Sequence, residues 1–118
     1  MEVVYLAIND SDTVYIDVDD ALKRVGGNRA LYKKLLGRFV DGNYFELIEN
    51  AIKSGSKEDS ARQAHTLKGV SANLSLERVR ALSLALEEKI KSGEDCSGSL
   101  ADLKEAYGAT LQKIAEVE

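Results

Sequence analysis

The segment with the clearest capacity for chemistry surrounds His65, the one histidine in the 118-residue chain. An imidazole has a pKa of about 6.5 in unstructured peptides, so near neutral pH a substantial fraction of it is neutral and can act as a nucleophile. Lys68 follows three residues later and Gly69 four residues later, spacings that put both near His65 on one helical face. An ammonium group there can offset the charge of a phosphate, and a glycine leaves room for a group to approach the ring.

The residues around His65 predict an exposed ring rather than a core histidine. On a helical wheel Leu67, Val70 and Leu74 gather on the side opposite His65, so burying them turns the imidazole outward. Small residues bracket the ring, although an interior glycine costs about 1 kcal/mol relative to alanine. The face of His65 also carries Glu58, Ala61, Arg62, Lys68, Gly69 and Ala72. We infer that another molecule approaches this face closely; the alternative is an ordinary surface histidine, with Gly69 tolerated by chance.

Patterns typical of other kinds of site are missing from the sequence. The chain has neither G-x-x-x-x-G-K-[ST] nor a G-x-G-x-x-G that opens a helix after a strand, so we expect it to bind neither ATP nor a dinucleotide. No nucleophile turn of a hydrolase accompanies His65, and with Cys96 as the one cysteine we predict no metal site. Adjacent carboxylates, Asp19-Asp20 and Glu87-Glu88, do not face each other on a helix and are interpreted as solvated surface.

Composition narrows the possible partners. The length favours one domain, and the net charge of −4, without a clustered stripe of Lys and Arg, argues against binding to nucleic acid. The longest apolar run, Val3 to Ile8, is too short to span a membrane and lacks the basic flank of a secretory signal. We therefore expect a soluble, cytoplasmic protein.

The elements that position His65 are predicted to be helices, because the chain has no proline and carries a series of capping signals. Residues 1–16 mix β-branched and aromatic residues and are interpreted as an N-terminal arm, with residues 17–118 forming one helical domain. A short helix from Val18 to Val25 opens at Asp17 and ends at Gly26-Gly27.

Four longer amphipathic helices follow this short one. Asn28 caps the first, whose apolar stripe does not continue past Gly42, so this helix is predicted to kink or break there. Ser56 caps a helix that runs to about Asn73, and Ser75 is predicted to cap the next. The apolar stripes of the first, third and fourth helices are Leu31, Leu35 and Phe39; Val79, Leu82, Leu86 and Ile90; and Leu100, Leu103, Tyr107, Leu111 and Ile114. The pattern predicts an all-α, antiparallel four-helix bundle with a short additional N-terminal helix.

The stretch from His65 to Leu74, HTLKGVSANL, resembles the signature of histidine-containing phosphotransfer (HPt) domains, in which H-x-L-K-G is followed by small residues and an apolar one. Upstream, Asp20 to Asn28 is similar to the family's A-L-x-R-x-G-G-[DN], and Leu31 to Phe39 to its L-Y-x-x-L-L-x-x-F. Downstream, Ala81 to Glu87 is similar to its A-x-x-L-E segment, so the likeness spans roughly Val18 to Lys91. One departure is Ser75, where the family usually has glycine.

The resemblance implies that His65 accepts a phosphoryl group through Nε2 from a receiver-domain aspartyl phosphate and passes it to another receiver aspartate. Lys68 would stabilise the phosphate and Gly69 would give access to the ring. The docking contacts would be Ala61, Arg62 and Ala72.

The resemblance also implies which partners the chain needs. These are response-regulator receiver domains and a hybrid histidine kinase, with Mg²⁺ supplied by the receiver rather than held by this chain, which we expect to be a monomer. Without an ATP-binding kinase core, the protein would be a phosphoryl carrier rather than a stand-alone turnover enzyme. A helical adaptor that binds a receiver or kinase without being phosphorylated is the alternative, and a bundle that binds haem or a metal through His65 is a weaker one.

Overall fold

Six helices account for most of residues 15–117, the part of the chain that the computed structural model describes. They are α1 (Val18–Arg24), α2 (Arg29–Asp41), α3 (Tyr44–Lys53), α4 (Lys57–Asn73), α5 (Glu77–Ser92) and α6 (Ser97–Glu116). No strand occurs among these residues, which confirms the all-α class. None of the described helices is long and apolar enough to cross a membrane.

Most of the predicted N-terminal arm, residues 1–14, lies outside the described residues. The last two residues of the arm contact the helical domain. Ile16 is fully buried in the core, and the guanidinium carbon of Arg78 lies 5.7 Å from the centroid of the Tyr15 ring.

Three of the predicted helix N-caps are confirmed. The side chains of Asp17, Asn28 and Ser56 each accept a hydrogen bond from the backbone N–H three residues further on, at 2.9–3.1 Å. Such bonds satisfy backbone donors that the first turn of a helix leaves unpaired. The starts of α1, α2 and α4 are therefore fixed by their own local sequence.

The prediction that Ser75 caps α5 is wrong. Leu76 occupies the cap position, and Ser75 has φ +58, in the left-handed region that favours glycine. The Ser75 hydroxyl is buried and donates to Asp20 Oδ2 at 2.7 Å, while its carbonyl accepts from the N–H of Asp17 at 3.0 Å. The turn between α4 and α5 is thus tied to the start of α1.

The chain breaks between α2 and α3, as the loss of the apolar stripe predicts. Asn43 has φ +52, and a Cβ on Gly42 would overlap the ring of Tyr44, so a larger residue there would have to displace that ring. Asn43 makes no side-chain cap, and the N–H of Tyr44 donates instead to the Tyr107 hydroxyl of α6 at 3.2 Å. Phe39 joins this corner through ring contacts at 5.4 Å to Tyr44 and 5.5 Å to Tyr107.

The buried stripe of α2 differs from the prediction. Leu31 is 40% exposed and Leu35 is half-buried, whereas Tyr32 and Leu36 are buried with Phe39. The reason is a tertiary contact: the Tyr32 hydroxyl donates to the carbonyl of Leu74 at 2.9 Å, so the ring can be buried without leaving its polar end unpaired.

Helix α4 lies against both α3 and α5, and α5 packs in turn on α6. Ala64 and Leu67 of α4 are completely buried, as are Val79 and Leu86 of α5. Most of the predicted stripes of α5 and α6 are buried, while Leu82, Leu100 and Leu111 are only partly so. These buried faces fix the rotation of α4 and α5 about their axes, and hence which side chains face outward between them.

Candidate functional site

His65 projects from the exposed side of α4. Its side chain is 63% exposed, while its neighbour Ala64 and the following Leu67 are completely buried. The outward orientation predicted from the helical wheel is therefore confirmed. The ring is open to a reactant on one side and rests against α5 on the other.

The side of the imidazole that faces α5 contacts Glu87. His65 Nδ1 lies 3.1 Å from Glu87 Oε2 and 3.4 Å from Oε1. A carboxylate only accepts hydrogen bonds, so this contact assigns a proton to Nδ1 and leaves the neutral ring with an unprotonated Nε2. Within residues 15–117, Nε2 has no hydrogen-bond partner. The site thus holds a nucleophilic nitrogen in a fixed orientation.

Glu87 is buried, with 5% of its side chain exposed, and two lysines share its charge with His65. Lys91 Nζ lies 2.9 Å from Oε2, and Lys68 Nζ lies 3.6 Å from Oε1. Burial raises the pKa of Glu87, but the Lys91 hydrogen bond, the Lys68 charge and the His65 contact together outweigh it, so the pKa lies below its ordinary value. Glu87 is therefore ionised at neutral pH and can accept the hydrogen bond from Nδ1–H.

A groove of about 750 Å³ opens beside the ring, between the first half of α4 and the end of α5. Ala61 contributes a small apolar side chain to it, and Arg62, which forms an ion pair with Asp59, contributes a cation. The complete lining consists of Lys57, Glu58, Ala61, Arg62, His65, Glu87 and Lys91. Because His65 belongs to this lining, the groove reaches the imidazole.

Three of the six predicted site residues line this groove. Ala61 and Arg62 line it with His65, and Lys68 joins the site through Glu87. Gly69 is exposed, and a Cβ added to it would have no neighbour within 4 Å, so no contact among residues 15–117 requires glycine there. Ala72 is half-buried about two turns beyond His65 and does not line the groove.

The interpretation of Glu87 as solvated surface is wrong, and it is the main residue that the sequence interpretation missed. The interpretation fits its neighbour Glu88, which is exposed. Glu87 lies four residues after buried Ser83 and three before buried Ile90, so it belongs to the inward side of α5. A carboxylate on that side needs partners, and Lys91 four residues later was the available signal.

The fold and the site together define an all-helical domain built around one exposed histidine that a buried carboxylate orients. Residues 42–113 match the family model of the Hpt domain, from the turn before α3 to near the end of α6. This match covers more than half of the chain, which therefore belongs to the Hpt domain family. Hpt domains are helical bundles with a phosphotransfer role in two-component signalling, and they interact with receiver domains and kinases.

Helices α1 and α2, which carry the upstream resemblance, lie before the matched residues. Neither a comparison with curated proteins nor one with solved structures gives a match.

Proposed function

We propose that this protein is a phosphorelay intermediate in which His65 accepts a phosphoryl group from the aspartyl phosphate of one receiver domain and passes it to the aspartate of another. The observation that carries the proposal is the contact of Nδ1 with Glu87 at 3.1 Å on a ring that is 63% exposed. It leaves Nε2 as the nucleophile, on the side of the ring that a partner can reach.

In the proposed step the lone pair of Nε2 attacks phosphorus while the bond from phosphorus to the aspartyl oxygen breaks, and the aspartate leaves as a carboxylate. The ring gains positive charge as the P–N bond forms, and its Nδ1 proton stays between the ring and Glu87. No proton has to leave at any point, so the same step can run in reverse, towards a second receiver. The buried carboxylate stabilises the charge that develops on the ring.

The remaining roles follow from charge and space. Lys68, whose ammonium group is held 3.6 Å from Glu87, would offset phosphoryl charge, and Gly69 would let the partner approach the ring. Ala61, Arg62 and Ala72 would contact the docked receiver. Phosphoryl transfer depends mainly on positioning and charge stabilisation. This chain can therefore act without a metal site of its own if the receiver supplies Mg²⁺.

The proposal extends to the packing of the helices, the location of the protein and its oligomeric state. The longer helices would pack antiparallel as a four-helix bundle, with α2 and α3 together serving as one interrupted member. We propose that the protein acts in the cytoplasm as a monomer, because one exposed histidine needs no second copy to form the site.

The decisive test is to incubate the protein with receiver domains carrying radiolabelled aspartyl phosphate. We expect a label that is labile in acid and stable in alkali, and that His65→Gln abolishes. A label that persists in His65→Gln would contradict the assignment of the acceptor. Stable binding to a phosphorylated receiver without any label would favour the adaptor instead.

Replacing Lys68 tests its role separately. We expect Lys68→Ala to slow transfer about tenfold, since a hydrogen bond to a charged group contributes roughly 1.5 kcal/mol or more. Lys104→Ala, at an exposed lysine of α6, is the control and should transfer at the wild-type rate. Unfolding of Lys68→Ala, seen by circular dichroism, would instead give Lys68 a structural role.

A further inference from the structure

Lys91 lines the groove, and its ammonium group contacts Glu87, the carboxylate that also contacts the His65 ring. Its side chain is 64% exposed, yet its ammonium group lies 2.9 Å from Glu87 Oε2, the same oxygen that His65 Nδ1 contacts at 3.1 Å. Arg62 is already paired with Asp59 on its own helix. Lys91 is thus a largely exposed cation of α5 whose ammonium group lies directly beside the imidazole.

Phosphorylation of His65 changes the charge balance at that oxygen. A phosphoryl group on Nε2 brings up to two negative charges close to the buried, ionised Glu87, and the two anions repel each other. Glu87 cannot move away, because only 5% of its side chain is exposed. Lys91 can move, because its ion pair with Glu87 involves only the ammonium group and most of its side chain lies in solvent.

We propose that Lys91 is an exchangeable counterion, which pairs with Glu87 while His65 is free and shifts to the phosphoryl group once His65 carries one. This inference rests on the proposed phosphorylation of His65. Lys91 would then stabilise phosphohistidine from the α5 side, while Lys68 does so from α4. The hydrogen bond from His65 Nδ1–H to Glu87 is kept throughout, so the ring stays oriented when Lys91 leaves.

The test measures the second pKa of the phosphoryl group on His65 by ³¹P NMR. The protein is charged with phosphoramidate, a small donor that reacts with exposed imidazoles, and the single histidine makes the signal unambiguous. A nearby cation favours the dianion, so Lys91→Gln should raise the phosphoryl pKa by about 0.5 unit, the size expected for one partly exposed ion pair. Lys91→Arg keeps the positive charge, so its phosphoryl pKa should equal that of wild type.

Lys89→Gln is the matched control, because Lys89 lies on the same helix and pairs with Glu94, which does not line the groove. It should leave the phosphoryl pKa unchanged. An equal pKa in wild type, Lys91→Gln and Lys89→Gln would overturn the proposal. So would loss of the Nδ1 proton from phosphohistidine in Lys91→Gln, measured by ¹⁵N NMR, because Lys91 would then act only by holding Glu87.

Failure of the underlying function gives a different result. If the receiver domains label another residue or none, phosphotransfer through His65 is contradicted and the Lys91 proposal falls with it. If His65 is labelled normally but the phosphoryl pKa does not respond to Lys91, the phosphorelay role stands and only the counterion role is excluded.

Discussion

Glu87 determines which nitrogen of His65 is available, although it lies 22 residues away in the sequence. A neutral glutamine at this position can still reach the ring, but it cannot stabilise positive charge there. It also leaves Lys68 and Lys91 without their shared partner. The chemistry of the exposed ring therefore depends on a buried residue that is itself not expected to touch the phosphoryl group.

We predict that Glu87→Gln slows labelling of His65 by a phosphorylated receiver about tenfold or more, because a charge-assisted hydrogen bond is lost. Single-turnover transfer kinetics measure this rate, and ¹⁵N NMR should show a smaller fraction of the Nδ1–H tautomer. Glu88→Gln makes the same chemical change at an exposed position and should behave as wild type. Equal rates in the two variants would remove Glu87 from the mechanism.

A substitution at Gly69 should change stability and phosphotransfer in opposite directions. Its Cβ position is open and its backbone is helical, so Gly69→Ala should raise the free energy of unfolding by about 0.5–1 kcal/mol. The same methyl group should slow transfer from a receiver by obstructing its approach to His65. Urea denaturation and transfer kinetics on one sample measure both effects.

Gly108 is the matched control for this prediction. It lies within α6 with its Cβ position equally open, away from the groove. Gly108→Ala should gain similar stability and keep the wild-type transfer rate. If Gly69→Ala also transfers at that rate, the access role of Gly69 is wrong.

The helices show which features can be predicted from sequence. The caps at Asp17, Asn28 and Ser56 and the break at Gly42 depend on residues within a few positions of each other, so local patterns indicate them. The buried stripe of α2 depends on a hydroxyl reaching Leu74 on another element. The role of Glu87 escapes prediction for a similar reason, because its partner His65 is on a different helix and periodicity carries no information about that pairing.

Ser75 provides a test of how the elements are joined. Ser75→Ala loses the hydrogen bond to Asp20 and keeps a Cβ at φ +58, so we predict a loss of about 1 kcal/mol or more in the free energy of unfolding. Ser75→Gly loses the same bond but relieves the backbone, and should be the milder change. Chemical denaturation measures the free energy of unfolding of wild type, Ser75→Gly and Ser75→Ala, which we expect to decrease in that order. If Ser75→Gly is less stable than Ser75→Ala, the left-handed turn does not have the role given to it here.

Two carboxylates with lowered pKa values, Glu87 and Asp20, predict how the stability of the whole molecule changes in acid. The folded-state pKa of Glu87 lies below its ordinary value of 4.5, despite burial, because of Lys91, Lys68 and His65. Such a group stabilises the fold fully above its unfolded pKa, and the contribution is lost as the pH falls through the folded pKa. The hydrogen bond from Ser75, followed by that from Arg24, lowers the pKa of Asp20 and adds a loss of the same sign.

We therefore predict that stability declines as the pH falls below about 4.5, and that the decline is shallower in Glu87→Gln than in wild type. The free energy of unfolding, measured by urea denaturation between pH 7 and pH 3, gives the slope for each protein. Glu88→Gln should retain the wild-type slope. A Glu87→Gln slope as steep as that of wild type would show that Glu87 does not contribute.

The left-handed turn at Ser75 has a consequence for how such a chain can vary in length. Successive residues of an α-helix are about 100° apart around its axis, so one residue inserted between Leu76 and Glu87 would carry the carboxylate to another side of α5. The stretch from the turn to Glu87 can therefore change in composition but not in length. The loop from Gly93 to Cys96 lies beyond Lys91 and is free of this restriction, so we expect a one-residue insertion to be better tolerated there than at the turn.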